Sequence, residues 1–510
     1  MKQEKGRNPY RIMFVWLIVA CIVGSALANA SENTKAKKIV VCLDGTWNNP
    51  ATKKETSEWK DKVYKPTNVV KTCRSVIGTP RAGASQITYY DIGVGGLRKY
   101  SGGWNTTHRI VDNVFGGARG AGYEGNVEDA YRFLLQNYNS GDEIYIFGFS
   151  RGAATARTLT QYIDWSGGLL AKDCAYWLPR FFDTFLQHKS SRSWVDEKKA
   201  IRSDTRESEL HKKPYLASDE DRLKESVDQI LCVKDGKDQM IRPVEISYLG
   251  LWDTVLSLGR RKDKFYVKPV PEKNIKSIRQ ALGIDESRFD FKPHIYHHPN
   301  KSKPSQNLQQ RWFAGVHSNI GGGYVDDGLA NHALYWVLEG AMAGNKGLQL
   351  RPEFLNFYRP YAQDRLYNSR KWYWSVAEAL RFRYKKGVRR IDPRSINMQS
   401  ANLAVHPSAI ERLGSCRQEP YLGKNGEKRI KKHYPLDSLY RPKNLLRYLS
   451  ALDALGDLEA YLIRMFPDVQ SDGVDAYALK YVSPKTMRDR VIKIVSDPKR
   501  SDFCPPSTDS

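Results

Sequence analysis

The sequence predicts an α/β protein built on a mostly parallel sheet with helices on both faces. Three observations lead there. From Lys38 onward, short apolar runs alternate with stretches of helical spacing, the order that joins parallel strands by crossover helices. Residues 144–157, Ile-Tyr-Ile-Phe-Gly-Phe-Ser-Arg-Gly-Ala-Ala-Thr-Ala-Arg, run from an apolar strand through a glycine-flanked serine into a helix of small residues. Polar residues able to do chemistry recur where inferred strands stop, namely Asp44, Ser150, Asp253 and His317. The carboxyl ends of strands are where open α/β sheets bind their ligands.

The chain begins with Lys2, Lys5, Arg7 and Arg11 ahead of an apolar run from Ile12 to Val23, followed by Ala26, Ala28 and Ala30. A basic region, an apolar core and an A-x-A-like end describe a secretory signal, so residues 1–30 are expected to direct export. Cleavage after Ala30 is the simplest fate. Ile18-Val19-Ala20-Cys21 also resembles a bacterial lipoprotein box, and an uncleaved run would act as an anchor, although it is short for a bilayer span. The expected location is periplasmic, secreted or membrane-anchored.

A strand over Ile39–Leu43 ends at Asp44-Gly45-Thr46-Trp47-Asn48, and a second over Ile87–Asp91 ends at Gly93-Val94-Gly95-Gly96. After a glycine-rich loop, Asn126 reads as the cap of a helix over Val127–Tyr138, with Ala130, Phe133, Leu134 and Tyr138 at helical spacing. Asn139-Ser140-Gly141 stops that helix before the strand that leads to Ser150. Residues 165–243 are expected to form a cap insertion, highly charged and mainly helical between 190 and 240. Strands near Glu245–Leu251 and Arg311–Val316 then end at Trp252-Asp253 and at His317, which closes a catalytic domain over 36–340. Beyond residue 340 the strand signals fade. Residues 341–510 are expected to be helical and basic, with a disordered tail from Cys504.

The 510 residues carry a formal charge of +25, with Lys+Arg 81 against Asp+Glu 56. That field calls for an anionic partner, and with an export signal ahead of it an anionic membrane surface is preferred over nucleic acid. Between Arg370 and Arg390, Trp372, Val376, Leu380 and Tyr384 recur every four residues, while Arg381, Lys385, Lys386, Arg389 and Arg390 crowd the other side or the end. Such a stripe is more commonly a helix's core face with solvated charges outside it. The alternative is contact with an anionic membrane surface, for which Trp372, Arg381 and Lys385 are the candidate residues. Apart from Cys21, six cysteines are scattered without metal-ligand spacing, so no metal is expected; one or two disulfides are allowed, with isolated core thiols the simpler state.

Gly148-Phe149-Ser150-Arg151-Gly152 is a G-x-S-x-G elbow between strand and helix. Glycines flank the serine because a side chain at either place would strike the neighbouring chain. A serine hydroxyl needs a base, and the base a carboxylate to hold its tautomer. Ser150, Asp253 and His317 supply these in hydrolase order. His294, His297 and His298 lie in a Pro- and Lys-rich loop, His332 within a helix, and His406, before Pro407, is the rival base. Packing alternatives are a helix cap for Asp253 and a turn for His317. The Arg151 N–H is expected as one oxyanion donor, with Gly45 or Thr46 as the other and Asp44 orienting that loop or the substrate. Gly116–Gly122 lacks the Gly-Lys-Ser/Thr ending of a phosphate loop, so no nucleotide cofactor is expected.

Four stretches, Ile39–Asn48, the elbow helix through Arg157, Gly250–Val255 and Gly315–Tyr324, resemble the catalytic domain of the type VI secretion lipase effectors, an α/β-hydrolase family. The resemblance implies a phospholipase acting through Ser150, Asp253 and His317, with phospholipid as substrate and no cofactor. An immunity or chaperone partner is left open. The leader is a departure, since effectors loaded directly into that system normally lack one. The expected function is acyl-ester hydrolysis through an acyl-enzyme on Ser150. Its alternatives are an esterase or thioesterase on a soluble substrate, and a non-catalytic exported basic module.

Overall fold

The computed structural model describes residues 36–45, 53–55, 62–80, 83–93, 123–187, 193–211, 229–230, 232–234, 237–256, 267–297, 306–344, 347–369, 389–391, 402–414, 419–422, 428–431, 440–465 and 484–497. Thr46, residues 1–30 with their expected export signal, and Trp372, Arg381 and Lys385 lie outside these residues. Among the described residues, no helix is long and apolar enough to cross a membrane.

Among the described residues, seven strands form one sheet: β1 (Lys38–Leu43), β2 (Gln86–Asp91), β3 (Glu143–Phe149), β4 (Ile246–Trp252), β5 (Ile275–Gly283), β6 (Asn307–Phe313) and β7 (Leu403–Val405). Their order is β7-β6-β5-β4-β3-β1-β2, with every neighbouring pair parallel. The chain passes from β1 out to β2, returns to β3 beside β1, and then steps outward to the far edge. That reversal opens a crevice at the carboxyl ends of β1 and β3. Leu43, Gly148 and Leu251 stand side by side in register, so residues 44, 150 and 253 leave the sheet along one edge.

The central strands are covered on both faces, which is why they read as unbroken apolar runs. On one face Ile39, Val41, Ile144, Ile146, Leu249 and Leu251 pack with the helices α1 (Tyr123–Asn137), α2 (Arg151–Ser166) and α3 (Leu178–Gln187). On the other, Val40, Cys42, Tyr145, Phe147 and Trp252 meet α4 (Gly328–Met342) through Ala333, Leu334 and Val337. The described part of segment 165–243 belongs to the first face. Its Leu178, Phe181 and Phe182 share that core, Leu169–Leu170 pairs with Ile241–Arg242 at its base, and a disulfide joins Cys174 to Cys232. Two cysteines expected as separate core thiols are thus bonded, whereas Cys42 and Cys73 are free.

Three expectations change. The helix expected from Val127 starts at Tyr123, so Asn126 is an interior residue whose amide donates to Asp91 Oδ1 at 3.1 Å instead of capping. Strand β5 carries no clear strand signal in the sequence, because Lys276, Arg279 and Gln280 interrupt its apolar run. Gln280 is nevertheless fully buried, accepting from Thr254 Oγ1 at 2.6 Å and donating to Gln310 Oε1 at 2.8 Å. The sheet also continues past residue 340, since β7 comes from Leu403–Val405. Around that edge Leu282, Ile284, Trp312 and Val405 form a third core with α5 (Lys443–Ala454), α6 (Leu458–Met465) and α7 (Pro484–Ser496).

Candidate active site

Ser150 lies between β3 and α2 with φ of 59°, a left-handed conformation that costs energy for any residue with a Cβ. Its glycine neighbours make the turn feasible. A Cβ on Gly148 would come 2.6 Å from the carbonyl oxygen of Gly152, and one on Gly152 would come 2.2 Å from that of Leu43. The start of α2 therefore lies directly against the end of β1. Ser150 N–H donates to the Trp252 carbonyl at 3.0 Å, which ties the turn to β4. Arg151 is the first residue of α2, so the positive end of the helix dipole faces the serine.

Asp253 follows β4 at φ of 46°, and His317 follows β6 as the first residue of a short helix, His317–Gly321. His317 Nε2 is 2.7 Å from Ser150 Oγ, and His317 Nδ1 is 2.6 Å from Asp253 Oδ2. A carboxylate can only accept, so Nδ1 carries the proton and Nε2 is left to accept from the serine hydroxyl. The imidazole is held between Phe149, at 4.8 Å between ring centres, and the edge-on Phe291, at 4.9 Å. Its backbone N–H donates to Glu286 Oε2 at 3.2 Å. Burial lowers the His317 pKa below its usual value, against the raising pull of Asp253. Burial alone would raise Asp253, but the charge of Arg389 and the bond from His317 hold its carboxyl well below the usual range. Burial thus biases the imidazole toward its uncharged form beside a carboxylate held in its charged one.

Asp44 is buried at the end of β1. Its Oδ2 accepts from Thr67 Oγ1 at 2.9 Å and from the Tyr90 hydroxyl at 2.7 Å, and its Oδ1 accepts from Gly45 N–H at 2.7 Å. Burial pushes its carboxyl up to about 6 in spite of these donors. The Gly45 amide, expected as a ready oxyanion donor, is therefore committed to Asp44 in this structure. The rival His406 instead accepts from Ser408 N–H at 3.2 Å and stacks on Phe313 at 4.2 Å. His332 lies 6.1 Å from it, in the same core layer.

Arg389 is grouped by sequence pattern alone with the outward charges at the end of the Trp372 stripe. It is buried, with Nη1 2.6 Å from Asp253 Oδ1 and Nη2 2.9 Å from Asp253 Oδ2. The two residues are 136 positions apart, and no local pattern links them.

Residues 37–340 match the family described as T6SS, Phospholipase effector Tle1-like, catalytic domain. An uncharacterized protein of Saccharomyces cerevisiae is 26% identical over 267 residues, 52% of this chain and 33% of that protein, so the match spans about a third of the length of this curated relative. Among solved structures, an uncharacterized protein from Pseudomonas aeruginosa aligns with 70% of this chain and 53% of its own, at 16% identity and a TM-score of 0.32. The Tle1 effector bound to the VgrG spike of the type 6 secretion system aligns with 57% and 52%, at 18% identity and a TM-score of 0.26. The family match extends over more than half of the chain and includes the strands that carry Ser150, Asp253 and His317; the protein belongs to the Tle1-like phospholipase effector catalytic domain family.

Proposed function

We propose that this protein is a serine phospholipase that cleaves an acyl ester through an acyl-enzyme on Ser150, with His317 as base and Asp253 as its partner. The observation that carries the reading is the unbroken relay of 2.7 Å and 2.6 Å from Ser150 through His317 to Asp253. Family membership supports the lipid substrate class.

In this mechanism Ser150 Oγ attacks the ester carbonyl carbon while its proton passes to His317 Nε2. The imidazolium is stabilised by Asp253. The carbonyl oxygen becomes an oxyanion, and the Arg151 N–H, at the start of α2, serves as one of its donors. The second donor is assigned to the loop after β1, which carries Gly45 and Thr46. Collapse breaks the bond to the lipid alcohol, which leaves with the proton from His317. Water, deprotonated by the same imidazole, then attacks the acyl-enzyme and releases the fatty acid.

The protein is proposed to act on the far side of export, with its net charge of +25 favouring an anionic lipid surface. The leader and the Cys174–Cys232 disulfide, which suits an oxidising compartment, support that location. The test is fatty-acid release from phosphatidylethanolamine and phosphatidylglycerol vesicles by wild type and Ser150→Ala. The variant is expected to lose at least about a thousandfold in kcat, and unchanged release would overturn the assignment.

A further inference from the structure

Asp253 accepts four hydrogen bonds, two on each oxygen. Oδ1 receives Gly283 N–H at 3.0 Å and Arg389 Nη1 at 2.6 Å; Oδ2 receives Arg389 Nη2 at 2.9 Å and His317 Nδ1 at 2.6 Å. The guanidinium thus grips both oxygens of the carboxylate, a fork that fixes its plane as well as its position. Without Arg389, one backbone amide and the imidazole itself would remain to orient a side chain that starts from a left-handed backbone.

Arg389 is itself held on several sides. Nη1 donates to the Gly283 carbonyl at 2.7 Å and Nη2 to the Phe291 carbonyl at 2.8 Å, from the same segment that edges His317. Its own carbonyl accepts from Asn444 Nδ2 at 3.1 Å, and that amide also donates to the Ile284 carbonyl at 2.9 Å. Asn444 stands in the first turn of α5. A continuous chain of contacts therefore runs from the C-terminal helices through Arg389 and Asp253 to His317 and Ser150. Arg389 and Asn444 both lie beyond the segment matched to the family, residues 37–340.

We infer that Arg389 is a positioning residue for this site: its fork holds the Asp253 carboxylate toward His317, and its charge offsets that of Asp253 behind the imidazole. The inference rests on the reading of Ser150, His317 and Asp253 as a catalytic triad. A full aspartate charge beside the imidazole would favour the imidazolium and disable the base in mildly acidic surroundings. A cation on the far side of the carboxylate restrains that effect while leaving enough charge to stabilise the transition state.

The experiment is a pH series of phosphatidylglycerol hydrolysis, with the rate of fluorophosphonate labelling of Ser150, on full-length wild type, Arg389→Gln, Arg389→Lys and the exposed neighbour Arg390→Gln. Arg389→Gln is expected to lose about 10- to 100-fold in kcat at nearly constant KM, by analogy with other outer-layer partners of a reacting group. Its acid limb is expected to move up by about one pH unit, because removing the cation favours the imidazolium. Arg389→Lys keeps the charge and loses the fork, so kcat falls while the limb stays in place. Arg390→Gln is expected to behave as wild type. A kcat within twofold of wild type, or a fall in kcat with an unmoved acid limb in Arg389→Gln, overturns the inference. Should Arg389→Gln be recovered unfolded, Arg389→Lys decides, a kcat within about twofold of wild type overturning it and a tenfold fall at constant KM supporting it. If Ser150→Ala retains hydrolysis, the triad reading fails whatever Arg389 does, so the two failures are distinct.

Discussion

His317 illustrates how little a residue type says until its surroundings are known. The chain has 10 histidines, and several stand near prolines or glycines that would suit a turn. What singles out His317 is its position after β6, where Nε2 meets Ser150 and Nδ1 meets Asp253. Burial lowers its pKa, so the midpoint of its protonation lies below the ordinary value near 6.5. If it is the base, the acid limb of kcat/KM has its midpoint below about 6.5. A stopped pH series on a soluble ester would measure it, and a midpoint above that value would contradict the burial argument. The sign for stability is the same. A folded-state pKa below the unfolded one means that the unfolded chain binds the proton first, so stability falls as pH drops through about 6.5.

Among the elements, the turn from β3 to α2 was the most legible in sequence. An apolar strand, two glycines around a serine and a run of alanines are local signals, and each has a local cause. Gly152 is the sharpest case, because its missing Cβ is what lets α2 start against the Leu43 and Asp44 carbonyls. Gly152→Ala would force the helix away from β1 and drag Ser150 out of its strained geometry. It is expected to destabilise the fold by about 3 kcal/mol and to abolish fluorophosphonate labelling, with urea unfolding as the check. A variant of wild-type stability that still labels would show that the turn has slack. Strand β5 was less legible for an equally physical reason. Lys276, Arg279 and Gln280 look like surface residues, yet Gln280 is buried because Thr254 and Gln310 satisfy its amide. A polar residue paired across strands leaves no periodic mark in its own segment.

Across the whole molecule, the sheet and the site depend on chain that follows residue 340. Strand β7 completes the sheet edge, α5 to α7 cover Leu282, Ile284 and Trp312, and Arg389 reaches Asp253. A chain ending at residue 340 is therefore expected to expose this third core and to be insoluble or unreactive toward a fluorophosphonate. Soluble truncated protein labelled at the wild-type rate would refute that expectation. The sequence by itself determined the parallel α/β architecture, the serine on its elbow, and the places of Asp253 and His317 just after strands, because apolar periodicity and tight turns act over a few residues. It could not determine that Gly45 is bonded to Asp44, that Cys174 meets Cys232, or that Arg389 is buried on Asp253. Tertiary structure decided those, because a buried polar residue owes its place to a partner, and here the partner of Arg389 lies 136 residues away in the chain.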